Sequence, residues 1–215
     1  MRKIMNEVNP VTRLFFSVVI CTYNRAHLIA RAINSLLNQT CKDWECLIID
    51  DESTDDTKEI IAPYLKRKNF HYLPHTHQGC ALSKNAGMEA ANGKYITFLD
   101  SDDEYRPTHL AKRKEILEKE QDIDLLFSDV SVIGDQYVPD KNDPGKKIAI
   151  ADCTVGGTFV IKRNALKPSD RFKDIYSDDS AFIERFILSG RNTKKINSPT
   201  YIYHRDSPDS MCSTI

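Results

Sequence analysis

The sequence predicts an α/β domain on a mixed, mostly parallel sheet flanked by helices. Two observations predict it. Short, almost unbroken apolar runs alternate with longer stretches whose apolar residues recur at three- and four-residue spacing, as buried strands alternating with crossover helices do. Three of the runs end abruptly in polar clusters: Thr22-Tyr23-Asn24-Arg25, Asp50-Asp51 and Asp100-Ser101-Asp102-Asp103. In open α/β sheets, ligands bind beyond the carboxyl ends of the strands.

The first strand is expected over Phe15–Cys21, β-branched and apolar. Leu28, Ile29, Ala32, Ile33, Leu36 and Leu37 then form one helical stripe. Glu45–Ile49 is a second buried strand. Ser53 and Thr54 are positioned to cap a helix whose apolar side is Ile60, Ile61, Tyr64 and Leu65. Phe70–Leu73 is a short third strand. Ala81–Ala91 reads as a helix stopped by Asn92-Gly93, and Tyr95–Leu99 as a fourth strand. Pro107 opens a charged helix to about Lys119. The second half is less regular. Asp124–Phe127, Val130–Ile133, Gly157–Lys162 and Tyr201–His204 are expected strands. Phe182, Ile183, Phe186 and Ile187 mark a helix. The Pro/Gly/Asp-rich stretch Gln136–Lys147 is expected to be a loop, and a candidate lid.

With 215 residues, 40% of them hydrophobic and 28% charged, the chain fits one globular domain. No linker divides it. Net charge is −1, so no overall field points to nucleic acid. The basic runs Lys66-Arg67-Lys68 and Lys112-Arg113-Lys114 read as solvated helix faces. Six cysteines show no zinc-like spacing. They are expected to be free thiols in a reducing cytoplasm, since MRKIMNEVNP lacks a secretory core. Asn38-Gln39-Thr40 is a glycosylation sequon by pattern only. Leu14–Cys21, the longest apolar run, is too short to span a membrane.

Four carboxylates fall within Asp100–Glu104 and repel one another. A core has no use for them, whereas a divalent cation relieves the repulsion. Carboxylates at a strand end, together with ligand phosphates, suit Mg²⁺ or Mn²⁺. Helix capping and loop solvation are the competing explanation, especially for Ser53–Asp56.

These segments resemble the family 2 glycosyltransferases, inverting enzymes of the GT-A fold. The resemblance rests on SVVICTYNRAHLIARAINSLLNQT, WECLIIDDESTDDT and GCALSKNAGMEAANGKYITFLDSDDEYRP. GGTFVIKRNAL, YSDDSAFIERF and YIYHRDSPDSMCS match more loosely, and coverage runs from Phe16 to Ser213. The resemblance implies a nucleotide-sugar half over about 14–105 and an acceptor half over about 106–215. It places Thr22, Tyr23 and Asn24 at the donor base and ribose, and Asp51 at the uracil N–H. Asp100-Ser101-Asp102 stands as the D-x-D signature, with Asp102 on the metal and Asp100 and Ser101 on the donor side. It implies Asp179 as catalytic base, with Asp178 beside it as an acceptor-binding residue; a plain acidic helix N-terminus is the alternative. Gly156 and Gly157 would let backbone approach the acceptor sugar, and His204 would complete the metal site, a surface or packing histidine being the alternative.

Two departures stand out. His77-Gln78-Gly79 replaces the family's Asn-x-Gly, and Ser83-Lys84-Asn85 replaces Ala-Arg-Asn. Lys84 keeps the charge for a donor contact but loses the guanidinium fork. The Gln-x-x-Arg-Trp motif of processive relatives is absent. The implied reaction is therefore transfer of one sugar from a nucleotide-sugar, UDP favoured, to a glycan or lipid-linked glycan. The acceptor would place the enzyme in the cytoplasm at the inner membrane face, serving bacterial surface-glycan synthesis. A sugar nucleotidyltransferase and a non-catalytic nucleotide-sugar-binding protein are the alternatives.

Overall fold

The computed structural model describes residues 14–143 and 145–206. Chain order is β1 (Phe16–Thr22), α1 (Ile29–Leu37), β2 (Trp44–Asp50), α2 (Thr57–Ile61), β3 (Phe70–Pro74), α3 (Cys80–Ala90) and β4 (Tyr95–Phe98). Next come β5 (Glu104–Tyr105), α4 (His109–Lys119), β6 (Leu125–Gly134), β7 (Tyr137–Pro139), β8 (Lys147–Ala149), β9 (Val160–Lys162), α5 (Asp178–Leu188) and β10 (Thr193–Arg205).

The main sheet has the order β3-β2-β1-β4-β9-β6-β10-β5. The first four are parallel neighbours. β9 runs antiparallel between β4 and β6, β10 lies parallel to β6, and β5 is antiparallel to β10. Side chains alternate along β1. Phe16, Val18 and Ile20 pack with Ile33 and Leu36 of α1 on one face, while Val19 joins Met88, Phe98 and Phe182 on the other. Each such burial stabilises by about 1.5–3 kcal/mol. Both faces are covered, which is why β1 and β2 carry so little polarity.

Several expectations need correction. Ser53 and Thr54 cap no helix: α2 starts at Thr57, whose N–H is accepted by Asp55. Pro63 lacks the N–H needed to continue α2, so Tyr64 and Leu65 lie in a separate 3₁₀ turn. The two expected strands at 124–133 are one, β6. Its polar interruption is absorbed by Arg113, whose Nη2 donates to Ser128 Oγ at 2.7 Å. Arg113 is thus fully buried and not part of a solvated face. Residues 156–158 form a 3₁₀ turn, leaving only Val160–Lys162 in β9. β10 begins at Thr193, well before Tyr201. The stretch expected as a loop holds the hairpin β7–β8. β5 was hidden among the carboxylates. Five cysteines are free; Cys212 and the motif beyond Asp206 lie outside the described residues.

Candidate active site

Thr22 of β1 pairs in register with Asp50 of β2, so the loops after them leave the sheet side by side. Asn24 and Glu52 turn sharply there, at φ 50° and 68°, a region costly for residues other than glycine. Cross-links hold the turns. Asn24 N–H donates to Ser53 Oγ at 2.9 Å, and its side-chain oxygen accepts from Thr54 N–H at 2.8 Å. Asn24 therefore knots two loops together, and does not line the adjacent cavity.

That cavity, about 270 Å³, is lined by Thr22, Tyr23, Asp51, His77, Cys80 and the Asp100–Asp102 run. Thr22 Oγ1 is buried and has no hydrogen-bond partner among the described residues. Asp51 is only 4% exposed. Its carboxylate accepts from the N–H groups of Gln78 (2.8 Å) and Gly79 (2.9 Å). His75 Nε2 lies 3.3 Å away and His77 Nδ1 2.9 Å away. The His77 ring rests against Tyr23, centroids 4.3 Å apart.

β4 delivers the acidic run beside this cavity, and the carboxylates divide their work. Asp103 is fully buried. It accepts from Tyr201 Oη at 2.6 Å and from His204 N–H at 2.8 Å, so it is a fastening between the acidic loop and β10. Burial, then Asp100 and Asp102, push its carboxyl well above the usual range. Asp100 is pushed up to about 6 by burial, with Asp102 and Asp179 adding and Lys84 opposing. Asp102 is half-buried at the cavity wall. Its carbonyl accepts from the Arg31 guanidinium. Asp100 and Asp102 offer hard oxygen donors at one strand end, which suits Mg²⁺ or Mn²⁺. His204 is buried beside them, but Nε2 lies 2.8 Å from Glu104 and Nδ1 3.2 Å from Asp206, so both ring nitrogens are engaged.

A second acidic group faces the sheet from α5, entered through Ser177 at φ 58°. Asp179 accepts from Gly156 N–H at 2.8 Å and from Lys84 Nζ at 3.1 Å. Asp178 sits 4.0 Å from the same ammonium. Lys84 is 5% exposed and lies over the Phe172 ring at 4.9 Å. Burial pulls its pKa down, but Asp179 and its acidic neighbours hold it well above the usual value. Asp178 is pushed up to about 7 by burial and by Asp179, against the pull of Lys84. Lys84 thus faces the acidic pair in this structure.

The two glycines have a tighter purpose than expected. A Cβ on Gly156 would lie within 2.7 Å of all three carboxylate atoms of Asp179. One on Gly157 would lie within 2.6 Å of Tyr201 Oη, Cζ and Cε2. The space they clear is filled by protein side chains, Asp179 and Tyr201. A cavity of about 890 Å³ opens beside them, bounded by Lys84, Asp178, Asp179, the β7–β8 hairpin and the apolar face of α5. Gly79, Cys80, Asp100 and Tyr203 border both cavities. The structure thus brings together Thr22, Tyr23, Asp51, Asp100, Ser101 and Asp102 at one cavity, and Lys84, Asp178 and Asp179 at the other. Sequence reasoning missed Tyr201, Asp103, His75, His77 and Arg31. Only the departure at His77-Gln78-Gly79 offered a signal.

Residues 17–167 match the model of glycosyl transferase family 2. A Rickettsia conorii protein named as an uncharacterised glycosyltransferase is 49% identical over 87 residues, 40% of this chain and 14% of that protein. An Escherichia coli protein, UDP-Glc:alpha-D-GlcNAc-diphosphoundecaprenol beta-1,3-glucosyltransferase WfgD, is 27% identical over 186 residues, 84% of this chain and 72% of the relative. The chain thus spans well under two thirds of the Rickettsia protein. Among solved structures, S. aureus TarS 1-349 in complex with UDP-GlcNAc superposes with TM-score 0.77 at 23% identity, covering 93% of this chain and 61% of that one. The fold is that of the GT-A glycosyltransferases, and the chain belongs to glycosyl transferase family 2.

Proposed function

We propose that the protein moves one sugar from a UDP-sugar to an acceptor hydroxyl, with inversion at the anomeric carbon. The observation that carries this reading is the pair of cavities meeting at Asp100: one with an aromatic ring, a buried carboxylate and an unpaired hydroxyl, the other walled by an acidic pair. A nucleotide fits the first set. Tyr23 offers a ring face, Asp51 an acceptor for a base N–H, and Thr22 and Ser101 polar contacts. Asp100 stands where the donor sugar would pass between the cavities.

In the second cavity Asp179 takes the proton of the attacking hydroxyl. The acceptor oxygen bonds to the anomeric carbon, the carbon–oxygen bond to the diphosphate breaks, and the nucleoside diphosphate departs with the electron pair. Attack and departure on opposite faces invert the centre. Gly156 fixes the position of Asp179. Lys84, held on the acidic pair in the second cavity, would turn its charge toward the departing diphosphate. Asp102, with His204 once it releases a carboxylate partner, would hold Mn²⁺ or Mg²⁺. Such an ion, when bound, offsets the charge developing on the diphosphate.

The relatives support the finer reading. The E. coli protein is named for UDP-Glc and a diphosphoundecaprenol acceptor, and TarS is solved with UDP-GlcNAc. A lipid-linked glycan acceptor, reached from the cytoplasmic membrane face during surface-glycan synthesis, agrees with the apolar walls of the larger cavity. No helix among the described residues is long and apolar enough to cross a membrane.

The test is UDP binding by calorimetry with and without Mn²⁺, alongside transfer from UDP-, GDP- and dTDP-sugars. Asp179→Ala is expected to keep donor binding and lose transfer by roughly 10²–10⁴-fold. Near-normal transfer by that variant refutes the base assignment. Metal-independent binding that Asp102→Ala leaves unchanged refutes the metal assignment.

A further inference from the structure

His77 makes two contacts, and their combination is informative. Its imidazole lies against the Tyr23 ring, centroids 4.3 Å apart and planes tilted by 32°. Its Nδ1 sits 2.9 Å from Asp51 Oδ2 and 3.1 Å from the Asp51 carbonyl oxygen. Both partners only accept, so Nδ1 carries the proton and donates. A nitrogen heterocycle therefore already rests against Tyr23 and already turns a ring N–H to Asp51, hydrogen-bonded to its carbonyl and in close contact with its carboxylate. Those are the two contacts that the proposed reading assigns to the nucleobase of the donor.

No room exists for a base between the rings, since two successive stacking distances would separate the centroids by about 7 Å. The histidine is also easily moved. Its side chain is 51% exposed, and it sits in the segment joining β3 to α3. Asp51 does not depend on it, because the N–H groups of Gln78 and Gly79 remain bonded to the carboxylate.

We propose that His77 is a stand-in for the nucleobase. It occupies the base position in the donor-free protein, and only a base that offers its own ring N–H displaces it. This rests on the donor-site reading and adds a selection rule to it. Uracil, thymine and guanine carry a ring N–H on the pairing edge. Cytosine and adenine present a ring nitrogen acceptor there, which the Asp51 carboxylate repels. The imidazole thus competes with every donor, and a base lacking the N–H cannot replace its hydrogen bond. The stand-in is held by one hydrogen bond to the Asp51 carbonyl, a close contact with its carboxylate and one ring contact, so removing it should tighten UDP binding by on the order of tenfold.

The experiment compares wild type, His77→Ala and Asp51→Ala by calorimetry with UDP and CDP in Mn²⁺. The His77 ring signals of ¹³C-histidine-labelled wild type are followed by NMR through the same titrations. Expected results are about tenfold tighter UDP binding by His77→Ala, loss of binding by Asp51→Ala, and movement of the His77 signals with UDP but not with CDP. Equal or weaker UDP binding by His77→Ala, with Asp51→Ala still impaired, overturns the stand-in and leaves the donor site. A His77 ring unmoved at saturating UDP does the same. Undiminished UDP binding by Asp51→Ala, or none by any of the three, overturns the donor-site reading and the stand-in with it.

Discussion

Replacing Gly156 by alanine separates the position of Asp179 from its presence. The new Cβ would fall within 2.7 Å of Asp179 Oδ1, Cγ and Oδ2. The obstacle is the tip of a side chain, so the carboxylate swings aside and the fold survives. The move breaks the 2.8 Å hydrogen bond from Gly156 N–H and disturbs the 3.1 Å contact with Lys84. A hydrogen bond to a charged group contributes about 1.5–3 kcal/mol. At about 2–4 °C per kcal/mol for a chain of this size, the melting temperature should fall by roughly 3–12 °C. Catalysis should suffer far more. A misplacement of about 1 Å can cost about 10²-fold, and general-base help is worth about 10²–10⁴-fold. Transfer by Gly156→Ala should therefore drop by at least about 100-fold, with UDP affinity within about threefold of wild type. Calorimetry, a melting curve and a coupled nucleotide-release assay with acceptor read the three quantities separately. A variant that folds, binds UDP and still transfers within about threefold of wild type would refute the role given to Asp179.

Gly157→Ala should be more damaging to stability than Gly156→Ala, because the clash is with the buried Tyr201 ring, which cannot swing away; overpacking costs about 1–3 kcal/mol, and loss of the Tyr201–Asp103 bond adds to it. Equal melting temperatures for the two variants would contradict this. Asp178 predicts a pH dependence: its folded carboxyl is raised to about 7, so its contribution is full below the unfolded carboxylate range and is lost as pH rises through about 7. Urea titrations should show wild type losing stability relative to Asp178→Asn across that window, by up to about 1.4 kcal/mol per pH unit, and parallel curves would count against it. Arg113→Ala should destabilise by about 3–5 kcal/mol, since it empties a fully buried site and removes the hydrogen bonds to Ser128 and Thr200; a loss below about 1 kcal/mol by urea unfolding would show that the remaining partners of those hydroxyls suffice.

β1, β2 and β4 were legible because burial on both faces leaves little room for polarity, so each strand declares its own end. That Thr22, Tyr23, Asp51 and Asp100–Asp102 gather at one edge was legible for the same reason: each lies at or just beyond the end of such a strand. Relations across long separations were not. Asp103 reads like its neighbours, and only Tyr201, 98 residues later, turns it into a fastening. Gly156-Gly157 announces missing side chains but not whose atoms use the gap. The break at Ser128 looked like a boundary because Arg113 lies 15 residues before it. The β7–β8 hairpin has strands of only three residues each, too short for its pairing to leave a periodic trace.

The fastening of the acidic loop to β10 has a consequence for how the molecule comes into being. Asp103 accepts from Tyr201 and His204, 98 and 101 residues further along the chain. A ribosome adds roughly 5–20 residues per second. The parallel strands β1, β2 and β4 are therefore free to pair while the residues that will fix the acidic loop are still unmade, for several seconds or more. During that interval the scaffold can exist without a finished loop. Competence is acquired last, when β10 slides in between β6 and β5.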